Sequence, residues 1–112
     1  MNLTKLHGLL GLARRQGAVY LGLNQAVDAL RKGQAALALI DEIAGKNAQK
    51  RMSDTCKTYQ ANLYTLPQGL LSKTLGMNNL LTVSIARATI AQAIQMAVDN
   101  KNNEPLGGNE FE

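Results

Sequence analysis

The chain has 112 residues, one domain's worth of sequence. A hydrophobic content of 46% suits a packed core, and an aromatic content of 4% means that core is built from Leu, Ile, Val and Ala. No apolar run approaches the roughly 20 residues of a membrane span. The single cysteine, Cys56, excludes an intramolecular disulfide and suits a reducing compartment, so a cytoplasmic protein is expected. The net charge of +4 is unevenly spread. All Lys and Arg lie between Lys5 and Lys101, whereas Glu104, Glu110 and Glu112 stand in the tail. Without those three acids the chain carries twelve cations against five acids, a net +7. A body of that sign draws polyanions such as RNA.

Leu3, Leu6, Leu10 and Ala13 recur at helical spacing, with Lys5, Arg14 and Arg15 off that stripe. The Arg-Arg pair follows the Leu-rich stretch and no small-residue cleavage site comes after it, so this is an ordinary helix and not a secretory signal. Gly8 and Gly11 leave a bare patch that lets a neighbouring element approach closely. Gly17 caps the helix end. "AVYLG" reads as a short strand, and Gly22 turns the chain into a second helix. Ala26, Val27 and Leu30 face the core there, Asp28, Arg31 and Lys32 face water, and Gly33 stops it. "AALALID" is a continuous apolar run, read as a strand covered on both faces.

Ala44, Ala48, Met52, Cys56 and Tyr59 form one stripe of a long third helix. Lys46, Lys50 and Lys57 fall within about 40° of one another on its opposite, solvated side, at about 100° per residue. "NLYTL" is a strand ended by Pro67, "QGLLSKTLG" a short helix closed by Gly76, and "LLTVSIA" the last strand. Ile90, Ile94, Ala97 and Val98 form the apolar stripe of the final helix. Residues 1–100 are expected to form a single domain and residues 101–112 a flexible acidic tail. Strands alternating with helices imply an α/β/α sandwich, with strand order left open.

Catalytic chemistry is poorly supported. His7 is the only histidine and has no acid near it in sequence, and Cys56 lies on an apolar stripe as an inert thiol. Asp41 and Glu42 lack metal-ligand spacing and read as helix-capping groups. No glycine-rich nucleotide loop occurs. No enzyme activity, cofactor or metal is expected. The turn at Gly22 is the better functional candidate. A helix N-terminus there presents N–H donors and a partial positive charge suited to phosphate. Asn24 and Gln25 can each give and accept hydrogen bonds, as purine edges require, and Arg31 and Lys32 lie further down the same helix.

"LLGLARRQGAVYLGLNQAVDALRKGQAALALI" resembles the opening half of the ribosomal protein L-seven-Ae family, and is most similar to its small bacterial, YlxQ-like members. The likeness continues through "NAQKRMSDTCKTYQANLY" and "LLSKTLGMNNLLTVSIA", from Leu3 to Val98. The resemblance implies a three-layer α/β/α sandwich with a mixed four-stranded sheet. It also implies binding to kink-turn RNA, a sharply bent internal loop flanked by tandem sheared G·A pairs. Family members hold this RNA with a Gly-x-Asn-Glu-type turn, which falls here on Gly22, Asn24 and Gln25. A loop before the last strand covers the looped-out nucleotides, and it falls on Met77, Asn78, Asn79 and Leu80. Gln25 stands where archaeal-type members carry an acid, and Asp28 where many carry a lysine facing RNA. The expected function is a non-catalytic, monomeric RNA-binding protein of the translation apparatus, associated with ribosomes and not with membrane. An anion at Asp28 makes a protein-interaction module on the same fold the alternative.

Overall fold

The computed structural model describes residues 1–99, so the tail expected over 101–112 lies outside the described residues. Helices and strands alternate along the chain: α1 (Leu3–Arg15), β1 (Val19–Leu21), α2 (Leu23–Arg31), β2 (Ala35–Asp41), α3 (Lys46–Thr58), β3 (Asn62–Leu66), α4 (Leu70–Leu75), β4 (Thr82–Ala86) and α5 (Thr89–Asp99). The sheet runs in the order β1-β4-β2-β3. β4 is inserted between β1 and β2 and is antiparallel to both, while β2 and β3 pair in parallel. The sheet is therefore mixed, as the resemblance implies. β1, β2 and β3 all point one way, and only β4 returns.

Side chains alternate across the sheet, dividing the core into two layers. Leu37, Leu39, Leu66, Val83 and Ile85 face one way, against Leu6 and Leu10 of α1, Leu71 and Leu75 of α4, and Ile94 of α5. Ala38 and Ile40 face the other way, against Val27 and Leu30 of α2 and Met52 and Cys56 of α3. β2 is buried on both faces, as its unbroken apolar run requires. Tyr64 of β3 donates to Asp99 Oδ2 at 3.1 Å and so links an edge strand to α5. Burial first, and then this carboxylate, push the Tyr64 hydroxyl above the ordinary tyrosine range.

The first three helices close with the same hydrogen-bond pair. Gly17 N–H donates to Arg14 and Ala18 N–H to Ala13; the same pattern recurs at Gly33 and Gln34, and at Gln60 and Ala61. This closure needs a left-handed residue just past the helix. Glycine supplies it at Gly17 and Gly33, and Gln60 adopts it with φ +57°.

Three sequence expectations are corrected. Leu3 is 44% exposed, because it starts the first turn of α1 ahead of the packed stripe. Tyr59 is 43% exposed because α3 has already ended at Thr58. Among the described residues no element approaches the bare patch at Gly8 and Gly11, where an added Cβ would meet nothing within 4 Å. These glycines therefore weaken α1 with no packing gain. Replacing Gly8 by Ala should stabilise the protein by about 1 kcal/mol, raising the thermal midpoint by roughly 4–8 °C, as measured by circular dichroism. An unchanged or lower midpoint would reveal a contact at Gly8 that the fold does not show.

Candidate nucleic-acid interface

Because β1, β2 and β3 are parallel, the helices that follow them, α2, α3 and α4, begin at one end of the sheet. Each helix start exposes backbone N–H groups and the positive end of a helix dipole. The loop that leads into α4 is fastened by two carboxylates. Asp41, 1% exposed, accepts from Gly69 N–H at 2.8 Å and from Ile43 N–H at 2.9 Å. Glu42 accepts from Gln68 N–H at 3.0 Å. The two carboxylates therefore satisfy loop donors and cap no helix, which corrects the capping reading. None of α2, α3 and α4 receives a side-chain cap.

The start of α2 is set by Gly22. Its φ of +86° and ψ of 163° lie in a region open essentially to glycine alone. This conformation directs the Gly22 N–H to Thr82 O at 2.9 Å, while the Gly22 carbonyl accepts the first helical bond, from Ala26 N–H. The N–H groups of Leu23, Asn24 and Gln25 meet no acceptor among the described residues. The side chains of Asn24 and Gln25 are exposed. At about 100° per residue, Asn24, Gln25, Asp28, Arg31 and Lys32 share an arc of about 120° on α2. Arg31 stands about 10 Å along the axis from Asn24, at about 1.5 Å per residue. Lys32 is engaged by Asp28 at 2.9 Å in an exposed i,i+4 pair, so among the described residues Arg31 is the cation left unpaired on that face.

The second candidate segment leaves α4 at Gly76 and enters β4. Leu80 N–H donates to Ser72 Oγ at 2.9 Å, which pins the loop back on α4. Leu80 is 5% exposed and packs into the core, so its side chain is not available to cover a ligand. Met77, Asn78 and Asn79 are exposed, with Asn79 in the left-handed region at φ +57°. Asn78 and Asn79 line a hollow of about 410 Å³ with Ile43, Gln68 and Leu81. The loop meets the Gly22 turn at its entry into β4. Leu81 O accepts from Asp41 N–H and Thr82 O accepts from Gly22 N–H.

Two cations absent from the sequence reading border this surface. Arg51 of α3 donates from Nη1 to Asn24 Oδ1 at 3.1 Å. Arg14 of α1 lies with its Nη1 3.9 Å from where a Gly76 Cβ would stand. At about 100° per residue Arg51 stands about 120° from the middle of the lysine stripe, and its bond to Asn24 shows that this flank of α3 faces α2. The lysine stripe is a wet face, and Lys50 pairs with Asp54 of its own helix at 3.4 Å.

The groups considered for catalysis have structural partners or surroundings. His7 Nδ1 lies 2.9 Å from Thr74 Oγ1. Cys56 is buried, which pushes its thiol above the ordinary range. Among the described residues no group of three His, Cys, Asp or Glu could hold a metal. Among them, too, no helix is long and apolar enough to cross a membrane.

No family model matches the chain, and no curated protein matches it. Solved structures do. A protein with unknown function from Bacillus halodurans C is 26% identical, with a TM-score of 0.80 over 85% of this chain and 97% of that one. The Giardia lamblia 15.5kD RNA binding protein is 16% identical, with a TM-score of 0.71 over 89% of this chain and 88% of that one. The fold is of the L-seven-Ae type.

Two outcomes follow from the geometry. Gly22→Ala should destabilise the protein by about 1–3 kcal/mol, because a Cβ is strained at that φ and ψ wherever there is room for it; a urea titration measures this, and an unchanged midpoint would place the turn elsewhere. Cys56 and Tyr64 both have raised values in the folded state. Their contribution is fully present below the unfolded values and is lost as pH rises through those values toward the folded ones. Stability should therefore fall once pH passes about 8.5, the unfolded thiol value, and Cys56→Ala should reduce that slope.

Proposed function

We propose that this protein binds structured RNA of the kink-turn type, using the Gly22 turn with Asn24 and Gln25 and the outward residues Met77, Asn78 and Asn79. The observation that carries this reading is the start of α2. Three backbone N–H groups and two exposed amides stand there together, with the Arg51 guanidinium beside them. The set is rich in donors and carries positive charge, which suits phosphate and base edges exposed by an irregular loop. The neighbour from Giardia lamblia, described as an RNA binding protein, supports the same reading through its fold. By binding the bent form better than the open one, the protein would shift the RNA toward the bend.

The resemblance to YlxQ-like members extends the proposal to a non-catalytic, monomeric component of the translation apparatus, associated with ribosomes in the cytoplasm. Arg31 would contact backbone phosphate, and Lys32 would do so on leaving Asp28. The alternative of an interaction module draws on the Asp28 anion. Its pairing with Lys32 counters that charge on the exposed face and favours RNA.

The test is a titration of the full chain against a kink-turn duplex at low salt. Binding should weaken as salt rises, with a slope set by the phosphates contacted. Asn24→Ala should weaken it by about 1–3 kcal/mol, with an unchanged circular dichroism spectrum. A salt-independent interaction with a protein, recovered after nuclease treatment, would favour the interaction module instead.

A further inference from the structure

We infer that Arg51 is a positioning residue for this RNA site: by donating to the carbonyl oxygen of Asn24, it fixes which way round that amide stands and favours its meeting an acceptor edge of the RNA through Nδ2. The inference rests on the reading of the site as an RNA-binding surface. A guanidinium has five N–H groups and no acceptor. Its partner at 3.1 Å must therefore be the Asn24 oxygen, which fixes which way round the amide stands. The Nδ2 group then points away from Arg51 and offers its hydrogens outward.

A free asparagine reads adenine by accepting from N6 and donating to N7 at once. In Asn24 one lone pair of that oxygen is already taken by Arg51, so accepting from adenine N6 has to share the oxygen with the guanidinium. Guanine presents O6 and N7, two acceptors, and suits a donor. The adjacent N–H groups of Leu23, Asn24 and Gln25 are donors too, so the surface beside Arg51 asks for acceptors throughout. Gln25 has no partner among the described residues and remains the group able to turn either way.

Arg51 is exposed, and Arg51→Met keeps much of its stem while removing the guanidinium. The experiment is a double-mutant cycle on the full chain, measuring Kd for a kink-turn duplex with wild type, Arg51→Met, Asn24→Ala and both together, across a salt series. Arg51→Lys is added to retain the charge and the donor. If Arg51 acts through Asn24, Arg51→Met weakens binding about tenfold when Asn24 is present and about twofold or less when it is Ala, a coupling that independent sites do not show. The lysine variant should recover part of that loss. Equal losses in both backgrounds, with a salt slope lower by about one, would make Arg51 a phosphate contact and overturn the inference while leaving RNA binding intact. A wild-type chain that does not bind the duplex would overturn the proposed function and this inference with it.

Discussion

The arrangement depends on β4 entering the sheet between β1 and β2 as the only antiparallel strand. Its first residue, Thr82, and Leu81 just before it offer carbonyls to Gly22 N–H and Asp41 N–H respectively. Those two bonds hold the exits of β2 and β1 against the loop that precedes β4. Two residues further on, Ser84 Oγ donates to Ala26 O at 3.2 Å, fastening the first turn of α2 to the sheet inside the core. Three segments distant in sequence are thereby set at one end of the molecule. An all-parallel sheet would bring β4 in from the opposite end and take the 77–80 loop away from the Gly22 turn.

The electrostatics of that end follow from which helix starts are satisfied. The parallel strands deliver three helix N-termini to one place. Asp41 and Glu42 place two carboxylates on the loop amides of Gly69 and Gln68 just ahead of α4, while no side chain bonds the leading amides of α2 and α3. A side-chain cap such as Ser or Asp at residue 22 would strain the backbone at the φ and ψ that Gly22 adopts. It would also fill the donors that a ligand needs, and Gly22 fills none of them. The same glycine supplies the backbone angles that aim its N–H at Thr82, so the open helix start and the fastening to β4 come from one residue.

Much of the fold was legible because local signals agreed. "AALALID" and "NLYTL" coincide with β2 and β3, and glycines mark the ends of α1 and α2 through their left-handed conformation. The end of α3 was less legible because Gln60 adopts that conformation without being glycine, and periodicity carried the stripe on to Tyr59. The mixed character of the sheet was legible only through the family resemblance, and strand order was not legible at all, since alternating helices and strands fit parallel and mixed sheets alike. At the candidate site, Gly22, Asn24 and Gln25 could be found from local chemistry. Arg51 could not, because its partner is 27 residues away and only the packing of α3 beside α2 joins them. Leu80 was misplaced for a related reason: a short loop gives no periodicity to say which residue turns inward.

The site and the core draw on different faces of one short helix. α2 has nine residues, of which Ala26, Val27, Ala29 and Leu30 are buried, and its opposite arc carries the amides and charges. Those outward groups contribute little to folding, since an exposed pair such as Asp28–Lys32 is worth well under about 1 kcal/mol. The ligand-facing residues can therefore change without endangering the core, provided the backbone at Gly22 is kept. Gln25 for an acid and Asp28 for a lysine are changes of this kind. Both alter which hydrogen bonds the face can make, and neither touches the packing of α2 on β4. The fold fixes where a ligand is presented to the chain, while the outward arc of α2, with Arg51 beside it, decides which hydrogen bonds that ligand must offer.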